Sequence, residues 1–129
     1  MTATIDQHFS VRRGFADVAH GQIHYRHAGS GPPLLAFHAS PGSSRQLLRL
    51  IEDLAPTARV IAPDTPGNGD SPALSAHDAP IADLAAAMAG FLDSIGIDKV
   101  DLYGSHTGAA IASELAILAP ERIGRVVLG

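Results

Sequence analysis

The chain has 129 residues, no cysteine, and 13 acidic against 9 basic side chains, for a formal net charge of −4. A mildly acidic chain with dispersed cations offers no electrostatic footprint for nucleic acid, and the lack of cysteine excludes disulfides and suits a reducing, cytoplasmic compartment. Met1 to Arg13 has no apolar core to act as a secretory signal, and the longest apolar helix, near Ile81 to Leu92, is interrupted by Asp83 and too short to span a bilayer.

Arg12 to Ala28 holds two candidate strands around His20-Gly21. After Pro32-Pro33, Leu34-Leu35-Ala36-Phe37-His38 is a continuous apolar run of strand length, and His38-Ala39-Ser40-Pro41-Gly42 follows as a loop. Ser43 or Ser44 is placed to cap the next helix, in which Leu47, Leu48, Leu50, Ile51 and Leu54 share one face before Pro56 ends it. Arg59 to Pro63 reads as the next strand, and Asp64 to Pro72 is turn chemistry throughout.

Ile81, Leu84, Met88, Phe91, Leu92 and Ile95 give the following helix its stripe, with Asp78 as its cap, Pro80 in the first turn and Gly96 at the end. Lys99 to Tyr103 reads as a short strand. Thr107 to Ala119 is small and apolar nearly all round, has Glu114 as its single charge and is closed by Pro120, which predicts a helix buried on most of its surface. Arg125 to Gly129 opens one more strand. Strands alternating with helices in this way specify an α/β fold: a mostly parallel sheet with helices on both faces, here in one domain without repeats.

Between the strand at Lys99 and the helix at Thr107 stands Gly104-Ser105-His106-Thr107-Gly108. Glycine two positions on either side of a central residue, in a strand-to-helix turn, forces that residue into a strained conformation and lifts its side chain above the sheet. The central residue is His106. Ser105 is one register off, and its hydroxyl is expected to point along the turn rather than out of it.

Four blocks, in order and with matching spacing, resemble the N-terminal half of an α/β-hydrolase-fold protein from about Val11 onward. His38-Ala39-Ser40-Pro41-Gly42 resembles the family's oxyanion loop, usually HGxP. Val60-Ile61-Ala62-Pro63-Asp64 with Pro66-Gly67, Gly69 and Ser71 resembles its APDxPGxGxS segment. Gly104 to Gly108 is similar to the nucleophile elbow, and Ala119-Pro120-Glu121-Arg122-Ile123 to the end of the helix behind it. Two positions depart from the pattern: His106 replaces the elbow serine, and Ala39 stands where glycine is usual.

The resemblance implies an enzyme acting on a small ester or other carbonyl substrate, including the carbon–carbon bond hydrolase kind, or else a binding or regulatory member that has lost catalysis. It implies an oxyanion hole from the main-chain N–H groups of Ser40 and Thr107. His106, as neutral imidazole, would serve as general base or as nucleophile through an acyl-imidazole. The family's acid and catalytic histidine follow the elbow in the chain, so their counterparts are expected beyond Gly129. A complete domain would run to roughly 250 residues. The expectation is therefore a single partial domain, residues 1–129, truncated after the sixth strand, inactive alone and able to associate through an exposed sheet edge.

No cofactor is expected, and no metal, because no carboxylate–histidine cluster has ligand spacing. His24 and His27, three apart in a strand, face opposite sides; His8, His20 and His77 read as surface residues. His38 is expected to brace the oxyanion loop, and Asp64 to anchor a structural hydrogen-bond network.

Overall fold

The computed structural model describes residues 10–75 and 79–129; His8, His77 and the expected cap Asp78 lie outside them. Arg12–Val18 (β1) and Gly21–Ala28 (β2) form an antiparallel hairpin whose turn closes on the Val18 and Gly21 pair. Pro33–Phe37 (β3), Arg59–Pro63 (β4), Val100–Gly104 (β5) and Ile123–Leu128 (β6) complete one six-stranded sheet. Its order is β1-β2-β4-β3-β5-β6, antiparallel at β1/β2 and β2/β4 and parallel elsewhere.

Successive strand residues face opposite sides, and the sheet has a core on each. Leu35, Phe37, Ile61 and Leu102 point to one side, where Ile81–Ser94 (α2) contributes Met88, Phe91 and Leu92 and Thr107–Leu118 (α3) contributes Ile111 and Leu115. Ala36, Val60 and Ala62 point to the other, beneath Ile51 of Leu48–Leu54 (α1). The mostly parallel sheet with helices on both faces follows from strands that are apolar on both sides.

The chain runs from β3 to β4 on one flank and then crosses back to β5 on the other flank of β3. The loops leaving the carboxyl ends of β3 and β5 therefore part in opposite directions, and such a switch point opens a crevice above the sheet.

Beyond one-residue shifts at the ends of β3 and β5, the structure differs from the sequence reading at four places. A 3-10 turn, Ser44–Leu47, precedes α1 and takes Ser43 as its cap, the Ser43 hydroxyl accepting from Arg45 N at 3.2 Å. Pro80 is the N-cap of α2, extended at ψ 151°, rather than a member of its first turn. β6 begins at Ile123, two residues before Arg125, because Ile123 already pairs with Val100 and the Asp101 carboxylate accepts from Arg125 N at 2.7 Å. The widest departure is α3, which is not buried on most of its surface. One stripe, Gly108, Ile111, Ala112 and Leu115, meets the sheet, while Ile117 remains 73% exposed. Apolar composition round a helix does not bury it where only one face has a neighbour.

Candidate active site

The turn after β5 is tight because both glycines are in backbone contact. A Cβ on Gly104 would run into the Gly108 carbonyl, and one on Gly108 into the carbonyl oxygens of Phe37 and His38. Gly108 thus lets α3 start directly against the end of β3, where Ser105 N also donates to Phe37 O at 3.3 Å. Between the glycines, His106 adopts φ 56°, ψ −118°, and it is the one non-glycine residue with positive φ among the described residues. Such a conformation costs about 1–3 kcal/mol, which the surrounding packing must offset. The imidazole is exposed at the tip of the turn.

The loop after β3 reaches the same place. Ser40 N donates to Thr107 Oγ1 at 2.7 Å, joining residues 67 apart. Ser40 and Thr107 are therefore brought together beside His106. Ala39 lies outside the positive-φ residues, so alanine replaces the family's glycine without strain.

His38 is buried behind this loop and ties it down. Thr65 N–H donates to His38 Nε2 at 3.1 Å, which leaves Nδ1 as the protonated nitrogen, donating to Ala39 O at 2.8 Å. Burial pushes the His38 pKa down, against the opposing pull of the Ala39 carbonyl and Asp64. Gln46, which sequence reading passes over, clasps the loop from the far side, accepting from Ala39 N at 3.1 Å and donating to Pro41 O at 3.3 Å. No local signal marks a glutamine for this role.

Asp64, at the end of β4, is the hub beneath the loops. Its Oδ1 accepts from Ser44 N at 2.8 Å, and its Oδ2 accepts from Asp70 N at 3.0 Å and from His24 Nδ1 at 2.8 Å. Burial pushes its carboxyl up, yet the Ser44 hydroxyl, the N–H groups of Asp70 and Ser44 and the His24 ring outweigh it and hold the pKa down at about 2. Arg26 stands 3.8 Å away and donates to Ser44 Oγ at 2.7 Å. The His24 ring is fixed from both ends: Arg13 Nε can only donate, so Nε2 accepts from it at 2.8 Å and Nδ1 carries the proton given to Asp64.

His24, Asp64 and Asp70 do converge, although no ligand spacing announces them in the sequence. Two guanidinium groups serve this cluster: Arg13, bonded to His24 and, at 2.9 Å, to Asp70, and Arg26, beside Asp64. His20 differs from its surface reading, being half-buried with Nε2 enclosed and without a hydrogen-bond partner.

A cleft of about 540 Å³ opens at the switch point. Ser40, Thr107, Thr65 and Asn68 supply its polar wall, and Ile81, Leu84 and Ile111 part of its apolar one; His106 is not in the lining. A second cleft, about 370 Å³, lies among Pro33, Lys99 and Glu121 at the opposite ends of the strands, remote from this chemistry.

Comparison with known proteins agrees with this architecture. A family model described as alpha/beta hydrolase fold matches residues 32–128. Haloalkane dehalogenase 2 of Mycobacterium tuberculosis is 34% identical over 113 residues, 88% of this chain and 40% of the relative. A 2-hydroxy-6-oxo-6-phenylhexa-2,4-dienoate hydrolase of Burkholderia cepacia is 35% identical over 111 residues, 83% of this chain and 39% of that protein. Among solved structures, an epoxide hydrolase from an endophytic Streptomyces superposes with a TM-score of 0.86 at 28% identity, over 92% of this chain and 36% of that one. The chain thus spans about two fifths of the length of the curated relatives it matches.

Proposed function

The chain belongs to the α/β-hydrolase fold family, and from that premise we propose that it supplies the elbow and oxyanion loop of an enzyme acting on a small ester or related carbonyl compound. A dehalogenase, a dienoate hydrolase and an epoxide hydrolase share the framework, which favours a small-molecule substrate. His106 is the reactive group in this reading, used as a general base toward water or toward an acidic O–H or C–H of the substrate. The hydrogen-bonded Ser40–Thr107 pair supplies the donor side of the site, which stabilises the negative charge that develops on the substrate oxygen.

The observation that carries the reading is the backbone of His106. The tight turn holds an exposed, non-glycine residue at positive φ although its side chain fills no core, and retained strain clusters at functional positions. In the full native protein, His106→Ala is expected to abolish turnover of p-nitrophenyl butyrate while the unfolding midpoint stays within experimental error or rises. Full activity in that variant would remove His106 from the reaction. A pre-steady-state burst of nitrophenol, with the butyryl group recovered on His106, would instead make His106 a nucleophile that forms an acyl-imidazole. His106→Ser complements these tests, because gained esterase activity would reveal the remainder of a triad.

One observation favours a second reading, a binding or regulatory member without catalysis: the His106 ring stands outside the lining of the cleft. Saturable ligand binding with no turnover in the full native protein would select it.

A further inference from the structure

Resting on the proposed use of the elbow, we infer that the Thr107 side-chain hydroxyl, and not the Ser40 main-chain N–H, is the donor that the oxyanion loop and elbow together present to the substrate oxygen. Ser40 has one N–H proton, and it is committed to Thr107 Oγ1 at 2.7 Å. A threonine hydroxyl has two lone pairs and one proton, so accepting from Ser40 leaves its O–H available. A hydroxyl that accepts a hydrogen bond is polarised into a better donor, so Ser40 strengthens Thr107 rather than competing with it.

The surroundings hold this arrangement in place. The residues flanking Ser40 are fixed by Gln46, through Ala39 N and Pro41 O, and by His38 through Ala39 O. Thr107 is β-branched, and its χ1 is restricted at the start of α3. Both Thr107 and Ser40 line the cleft, and Thr107 follows His106 directly. A substrate oxygen that took the Ser40 proton instead would first have to break a short hydrogen bond between two braced segments. The side chain of Thr107 is thereby a substrate-touching donor in addition to its main-chain N–H.

Thr107→Val separates the two arrangements. Valine keeps the shape and the main-chain N–H and removes the hydroxyl, so the braced Ser40 N–H faces a methyl group in its place. With p-nitrophenyl butyrate as probe, kcat should fall by about 100-fold with little change in KM, the size of effect seen when one oxyanion donor is removed. Thr107→Ser, which restores a hydroxyl, should recover most of that loss, a rescue that a packing role would not give. Unchanged or higher kcat in the valine variant would overturn the assignment and give the oxygen to Ser40. Thr107→Ala repeats the test without the β-branch if valine perturbs folding.

Butyrate binding, read by calorimetry, keeps the inference separate from the proposed reaction, because the carboxylate stands in for the oxyanion whether or not turnover occurs. Affinity at least tenfold weaker in Thr107→Val and retained in Thr107→Ser supports the donor role even if His106→Ala proves fully active. Equal or tighter binding to the valine variant, or no saturable binding to the wild type, overturns it.

Discussion

Asp64 carries more of the site's geometry than any residue that faces the cleft. Its two oxygens hold the N–H groups that begin the 3-10 turn after the β3 loop and the turn at Asp70, together with the ring of His24. With a folded-state pKa of about 2 against an ordinary 3.8, Asp64 stabilises the fold fully above pH 3.8, and that contribution is lost as pH falls toward 2. The linked free energy is on the order of 1–2 kcal/mol after allowance for solvent screening. His38 acts in a separate window: with its pKa lowered from 6.5, its contribution is complete above that pH and declines below it. Asp64→Asn turns one acceptor oxygen into a donor facing donors and leaves Arg26 without its counter-ion. It should cost about 3 kcal/mol in urea unfolding near neutral pH, and the fall in stability between pH 3.8 and 2 should become shallower. An unchanged midpoint would show that the network is dispensable. Asp64 was legible as a structural aspartate from its place in the fourth-strand block. Its partners His24 and Arg26 were not, because β2 brings them from about forty positions away and gives no local sign of a buried cation.

At the scale of elements, the site exists because α3 begins in contact with the end of β3. Gly108 sets that distance, its Cα facing the carbonyl oxygens of Phe37 and His38. Both obstacles are backbone, so a methyl group cannot be accommodated by turning a side chain. Gly108→Ala should therefore destabilise the protein by about 1–3 kcal/mol and displace Ser40 from Thr107. Gly90→Ala, in α2 with nothing within 4 Å, serves as its control and should be neutral or stabilising. Equal midpoints for the two variants would mean that the close approach does not constrain the turn. The alternation of strand and helix, and the strand positions to within one or two residues, were readable from apolar runs punctuated by proline and glycine. The faces of the helices were less so. In α2 the stripe Met88, Phe91 and Leu92 stands out as large side chains among alanine and glycine and is buried as expected. In α3 alanine and isoleucine occur on every side, so the sequence holds no contrast from which to separate the buried stripe from exposed Ile117 and Leu118.

For the molecule as a whole, apolar exposure is concentrated on one flank. β6 forms the edge of the sheet, with Val127 57% and Leu128 54% exposed, and α3 beside it turns Leu118, 54% exposed, outward. An edge strand with free N–H and C=O groups and uncharged valines is a template for pairing with another copy, and a contiguous apolar patch adds a favourable burial term. The 129-residue chain is accordingly expected to self-associate, with a weight-average sedimentation coefficient that rises with concentration. Val127→Lys places a charge on the exposed side of this edge, where a substitution changes intrinsic stability by no more than about 0.5 kcal/mol. It should return the protein toward the monomer while the midpoint of unfolding, measured at low concentration, stays put. The opposite flank ends in β1, whose Arg12, Arg13 and Asp17 already put charge along that edge, so an equivalent lysine there should change nothing. A wild-type chain that sediments as a monomer at every accessible concentration and unfolds cooperatively would show that this flank is stable in water as it stands. Association that survives Val127→Lys would move its cause from the β6 edge to the face of α3 around Ile117.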